Sequence, residues 1–152
     1  SLEVIASSKE VYVCLMHIQG NPRTMQQQPH YENVVKEVKS FLQDRIQVCV
    51  TAGIDAARIL IDPGFGFGKN LAHNLQLMNQ LQEFTQLGYP VLIGVSRKSM
   101  LGQILNKPVQ ERLYGGLALA VIALHKGAKV IRTHDVAPTV EVFKTVQAVS
   151  NE

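Results

Sequence analysis

The chain has 152 residues, 46% hydrophobic and 18% charged, with a net charge of +3; that is ordinary globular composition with length for one core, and a positive charge too mild and scattered to argue for nucleic acid. No apolar run approaches the ~18 residues of a membrane span and no signal peptide is recognised. Cys14 and Cys49 have apolar neighbours and no metal-ligand spacing, so buried, reduced thiols in a cytoplasmic protein are expected.

Residues 1–10 carry Leu2, Ile5 and Ala6 at helical spacing and read as the last turns of a helix that begins earlier. Val11 to Met16 is a β-branched and apolar strand. It ends at His17, and a polar loop then runs to about His30, long for a plain connector. Val34, Val35, Val38, Phe41, Leu42 and Ile46 form one buried stripe of a helix over Tyr31–Ala52, stopped by Gly53. Ile59–Ile61 is a second strand ending at Asp62. Asn70 is an N-cap for a helix reaching Leu87, with Leu71, Leu75, Met78, Leu81 and Phe84 inward. Pro90–Val95 is a third strand, followed by the basic loop Ser96-Arg97-Lys98-Ser99 and a short helix from Met100 to about Lys107. Pro108 opens the next helix, whose inward residues are Leu113, Leu117, Ala120, Val121 and Leu124. Lys129–Asp135 is the fourth strand, and a last helix from about Pro138 shows Val140, Phe143, Val146 and Val149. Four β/α repeats with long crossovers demand parallel strands. An open doubly wound sheet wants about five strands and a (β/α)₈ barrel eight, so four units suit half a barrel, with residues 1–152 as one unit.

The stretch Asp62-Pro63-Gly64-Phe65-Gly66-Phe67-Gly68-Lys69 stands at the end of the second strand, where parallel α/β proteins put their chemistry. Its glycines allow tight turns and close approach of a ligand, and its phenylalanines suit stacking on a flat ring better than core packing. It is not a phosphate-binding P-loop, because Pro63 stands where that motif needs glycine, and Lys69 breaks the dinucleotide fingerprint. Asp62 also fits a turn-capping carboxylate. Strand side chains alternate, so one face collects Met16, Asp62, Ser96, Lys98, Arg132 and His134. Arg132 with His134 suits a phosphate or pyrophosphate, although an internal ion pair of Arg132 with Asp62 or Asp135 is the competing reading. Asp62 can accept two hydrogen bonds from an amidine-like edge, and Lys98 can donate to a ring atom. His17 falls on the opposite parity and reads as structural. A metal site from His17, His134 and Asp135 matches no ligand spacing.

Cys14-Leu15-Met16-His17, Asp62 to Lys69, Gly94-Val95-Ser96-Arg97-Lys98-Ser99 and Ile131-Arg132-Thr133-His134-Asp135 together resemble dihydropteroate synthase, the sulfonamide-inhibited transferase family of folate biosynthesis, in its bacterial form. The resemblance implies a (β/α)₈ TIM barrel, of which this chain covers strands five to eight. It implies that Met16, Asp62, Gly94 and Lys98 bind the pterin, that Arg132 and His134 bind pyrophosphate, and that Phe67, Ser96 and Arg97 lie near 4-aminobenzoate. Lys98, Arg132 and His134 are then the catalytic residues. The family condenses 6-hydroxymethyl-7,8-dihydropterin diphosphate with 4-aminobenzoate and releases pyrophosphate, the C–O bond ionising first. Mg²⁺ is implied, with its ligand in the N-terminal half that this chain lacks, as is a cytoplasmic homodimer of the full-length enzyme that binds neither nucleic acid nor membrane. The isolated half is expected to be inactive. A related pterin-binding methyltransferase would not need the Ser-Arg-Lys-Ser loop or the Arg-x-His pair, and a half-barrel that only binds pterin is the non-catalytic alternative.

Overall fold

The fold is that of a computed structural model, which describes residues 2–21 and 27–151. Part of the loop after His17, Pro22 to Gln26, lies outside the described residues. The elements are α1 (Leu2–Ser7), β1 (Val13–Met16), α2 (Val34–Thr51), β2 (Ile59–Asp62), α3 (Leu71–Asn79), α4 (Gln82–Thr85), β3 (Leu92–Ile93), α5 (Ser99–Leu105), α6 (Leu113–His125), β4 (Val130–Ile131) and α7 (Val136–Ser150).

The strands are parallel, as long crossovers require. β1 pairs with β2 from Val13↔Ile59 to Met16↔Asp62, and β3 pairs with β4 through Leu92↔Val130 and Ile93↔Ile131. A parallel bridge between Ile61 and Val91 joins the two pairs, with the Ile61 N–H donating to Pro90 O at 3.0 Å. The spatial order is therefore β1-β2-β3-β4, as in consecutive units of a barrel wall. The strands are shorter than the apolar runs suggest. Val11 and Tyr12 are exposed and precede the ladder, and beyond Ile93 and Ile131 a single further bond, Arg132 N–H to Ile93 O at 2.9 Å, continues it.

Ile59, Ile61 and Ile93 are fully buried against the helices, while Leu60 and Leu92 on the opposite face are half-buried. Cys14 shares that second face and is exposed, which corrects the expectation of two buried thiols; Cys49 is buried and both are free. In α2 the stripe Val34, Val35, Val38, Leu42, Ile46 and Cys49 is buried. The helix expected over residues 70–87 is two. Gln80 leaves helical geometry at φ −106°, ψ 29°, and α4 follows it. The buried face is Leu77, Met78, Leu81 and Phe84, whereas Leu75 is 43% exposed. Met78, Leu81 and Phe84 are inward as the spacing predicts, and the place expected of Leu75 is taken by Leu77 and the polar Asn74.

In α6 the buried residues are Leu119, Ala120 and Ala123, and Val121 is exposed rather than inward. This helix is apolar around its whole circumference, so periodicity could not choose a face. α7 begins at Val136, with Pro138 in its first turn where a missing N–H costs nothing. Val140 and Val149 are exposed, and Leu117, Val121, Pro138, Val142, Val146 and Val149 line an apolar groove between α6 and α7.

Leu77→Ala is expected to cost about 2–5 kcal/mol and Leu75→Ala under about 0.5 kcal/mol, measured by urea unfolding. Equal costs would return the buried stripe to residue 75.

Candidate functional site

The Gly-rich loop is held by side chains from four directions. Asp62 closes its start, one carboxylate oxygen accepting the Gly64 N–H at 2.8 Å. Gly64 has φ +74°, and a Cβ there would collide with the His17 carbonyl, so only glycine lets the loop lie against the end of β1. Lys69 turns back beneath the loop, 3% exposed, and donates to Gly64 O at 2.8 Å and Phe67 O at 3.0 Å, with His17 Nδ1 at 2.9 Å. The Asn74 side-chain carbonyl accepts the Gly66 N–H at 2.8 Å, and the Tyr31 hydroxyl donates to Gly68 O at 2.8 Å. Phe65 is fully buried, which corrects its reading as a stacking residue, while Phe67 is half-buried and turned outward.

Beside this loop is a cleft of about 380 Å³ lined by Phe67, Gly94, Ser96, Lys98, Arg132, Thr133 and His134. The Lys98 ammonium bonds Phe65 O and stands 4.5 Å from the centre of the Phe67 ring, a cation–π distance. Arg132 crosses Gly94, where a Cβ would come within 3.0 Å of Nη2 and 3.1 Å of Nε. Its guanidinium lies 3.9 Å from the second Asp62 oxygen, and its side chain is 58% exposed against 3% for Asp62. The ion-pair reading of Arg132 is thus met by Asp62 rather than Asp135, and loosely enough to leave the guanidinium open to a ligand. Ser96 Oγ accepts the His134 backbone N–H at 3.2 Å and is 3.0 Å from His134 Nδ1, which fixes the ring and leaves Nε2 as its other polar atom.

Burial raises the Asp62 carboxyl above its usual range, against the opposing pull of the Gly64 N–H and of Lys98, Arg132 and Lys69. Burial lowers Lys98 to about 8, with Asp62 opposing and Arg132 adding to the shift. It lowers Lys69 to about 7. The cleft therefore sets a dehydrated carboxyl group against Lys98 and Arg132, with Lys69 behind it.

Of the residues singled out by sequence, Gly94, Ser96, Lys98, Arg132, His134 and Phe67 meet in this cleft, Asp62 closes its inner end, and Met16 pairs with Asp62 in the strand register. Arg97 is not brought in: it is turned to the surface and holds Asp135 at 2.7 and 3.3 Å. His17 is structural, its ring edge-on to Phe41 at 5.0 Å. Sequence reasoning missed Lys69, Asn74, Tyr31 and Arg112, which hold the site from behind. The only signal for Lys69 was a lysine closing a motif of glycines and phenylalanines, and Asn74 gave none. Among the described residues no three His, Cys, Asp or Glu side chains could hold a metal ion. With Lys98 and Arg132 dominating it, the cleft does not suit a divalent cation, and the resemblance places the Mg²⁺ ligand in the N-terminal half.

Four parallel strands, each followed by a helix, with a cationic cleft at their C-terminal ends, make the arrangement of half of a (β/α)₈ barrel. The chain belongs to the pterin binding enzyme family, whose profile matches residues 1–134. It is 55% identical over 139 residues to the dihydropteroate synthase of Haemophilus influenzae, covering 91% of this chain and 50% of that one. The crystal structure of Yersinia pestis dihydropteroate synthase with a sulfonamide drug complex superimposes with a TM-score of 0.90 at 51% identity, covering 92% of this chain and 51% of that one. The dihydropteroate synthase of Xanthomonas albilineans in complex with 7,8-dihydropteroate gives 0.89 at 43% identity, covering 98% and 55%. The chain thus spans about half the length of the curated relatives it matches, and its fold is a partial TIM barrel.

Burial, with the Lys69 charge adding, lowers the His17 imidazole from 6.5 to about 4. Between those values the unfolded chain carries a proton on this ring that the folded chain does not, so stability rises with pH across the window, by about 3 kcal/mol in full. His17→Asn keeps an acceptor for Lys69 without titrating. Its urea midpoint is expected to rise less than wild type between pH 4 and 6.5, and parallel curves would place the wild-type slope on other groups.

Proposed function

We propose that the complete protein is a dihydropteroate synthase, and that residues 1–152 are its C-terminal half, strands five to eight, carrying the floor of the pterin pocket and the cations for the departing pyrophosphate. The observation that carries this reading is the buried Asp62. One of its oxygens is used by the Gly64 N–H and the other faces the cleft toward Arg132. A carboxylate so placed accepts hydrogen bonds from the amino-pyrimidine edge of a pterin, and being dehydrated it discriminates strongly against a ring that leaves it unpaired. The sulfonamide and 7,8-dihydropteroate complexes of the relatives support the same ligand class.

The residues divide the work by charge. Asp62 orients the ring and stabilises it as the CH₂–O bond breaks and the ring becomes electron-poor. Lys98 gives up Phe65 O to contact the ring, and Met16 and Gly94 line the pocket. Arg132 and His134 Nε2 hold the pyrophosphate that leaves with the bonding electron pair. The amine nitrogen of 4-aminobenzoate then forms the new C–N bond and releases a proton to solvent. Phe67 offers its face to the benzoate ring, and Ser96 steadies His134. Arg97 reaches the aminobenzoate only by leaving Asp135, and no step here requires it. Mg²⁺ would be bound by the half that this chain does not include, and no step is assigned to it. The whole protein works in the cytoplasm as a homodimer on small-molecule substrates, and among the described residues no helix is long and apolar enough to cross a membrane. A pterin-binding methyltransferase would have no use for Arg132 with His134.

Calorimetric titration of 6-hydroxymethyl-7,8-dihydropterin diphosphate into the 152-residue chain is expected to show binding that weakens about a hundredfold in Asp62→Ala, the ~3 kcal/mol of a charge-assisted contact. Binding indifferent to Asp62→Ala would overturn the assignment of the pterin edge. A folded chain that binds nothing would move pterin recognition to the other half of the barrel.

A further inference from the structure

The aim of Lys98 is set from outside the cleft. Arg97, just before it, has φ +59°, a left-handed conformation that side chains other than glycine resist. Something must hold the backbone there. Arg112, at the start of α6, donates from Nη1 to Arg97 O at 3.0 Å and to Lys98 O at 3.3 Å, while its Nε donates to Lys107 O at 3.0 Å. The guanidinium lies flat on Gly102 of α5: a Cβ there would collide with Nη2 and stand 2.6 Å from Cζ. The three carbonyls are met by two nitrogens of one planar fork, a spread that the single nitrogen of an ammonium does not reproduce. With its backbone fixed, Lys98 runs over Gly66, whose own Cβ would come within 3.2 Å of Lys98 Cδ, to Phe65 O and the Phe67 ring.

We propose that Arg112 is a positioning residue for Lys98: by clasping the carbonyls of Arg97 and Lys98 it holds the strained turn and aims the Lys98 ammonium at the Phe65–Phe67 wall of the cleft. Its meaning for catalysis rests on the pterin reading above; the clasp itself does not. Arg112 does not itself line the cleft and reaches it only through the backbone of Arg97 and Lys98. Gly102 is part of the same device, because it supplies the flat seat for the guanidinium.

The test reads Lys98 directly and without ligand. In the 152-residue chain with ¹³C/¹⁵N-labelled lysine, the Lys98 signal is assigned by its loss in Lys98→Arg and titrated by NMR. The wild-type midpoint is expected at about 8, brought there by burial, with Arg132 adding to the shift and Asp62 opposing it. Arg112→Met, Arg112→Lys and Gly102→Ala, the last of which keeps the arginine but removes its seat, are each expected to move it by about one unit or more toward the ordinary lysine value. Arg112→Met with Gly102→Ala should move it no further than either alone, since both break one contact. Circular dichroism and the urea midpoint report whether each variant is folded. A folded variant whose Lys98 titrates as in wild type overturns the proposal. So does loss of the fold in all three, which would make Arg112 a residue of stability alone. A chain that binds no pterin leaves this result standing, and one that binds pterin while Lys98 ignores Arg112 overturns the clasp and not the function.

Discussion

An ammonium group taken out of water costs several kcal/mol unless its hydration is replaced, and Lys69 is 3% exposed. Its replacement shell is two carbonyls of its own loop and the Nδ1 of His17. That requirement shapes the site. For Gly64 O and Phe67 O to point inward at Lys69, the loop must curl over it, and the curl buries Phe65 and turns Phe67 toward the cleft. Asn74 and Tyr31 pin the intervening glycines from outside. The loop so held forms one wall of the cleft, through Phe67.

Charge in the cleft is arranged by the same economy. Asp62 is too buried to be ionised in isolation, so its neighbours are cations from three different β/α units: Lys69, Lys98 and Arg132. None of them grips it closely; the nearest is Arg132 at 3.9 Å. A tight pair would satisfy the carboxylate and leave it nothing to offer a ligand. The loose one favours the charged form and leaves it short of partners, which suits selective recognition of a donor edge. Because these cations come from different units, the electrostatics of the cleft belong to the assembled fold and to no single motif.

The repeat of strand and helix was legible because apolar runs and Gly or Pro punctuation survive in a single sequence. So was the gathering of Asp62, Lys98, Arg132 and His134, since strand alternation carries one face to one end of the sheet. Legibility failed where polarity and burial part company. Asn74 leads a buried stripe, Lys69 lies inside, and Phe65 and Phe67, alike on paper, face opposite ways because the loop curls between them. It failed in α6, where every face is apolar and only neighbours choose among them. It failed for Arg112 because a guanidinium whose partners are all backbone carbonyls leaves no signature in the residues it holds.

The contact of Lys69 with His17 has a further consequence. As an ammonium, Lys69 donates to all three of its partners. As a free amine it still has two N–H groups for the carbonyls, and its lone pair can accept from the other tautomer of His17. The burial that brings Lys69 to about 7 therefore puts its proton in play near neutrality without breaking a bond in the loop. Loss of that proton would leave the hydrogen bonds of the wall in place and remove one positive charge from behind Asp62.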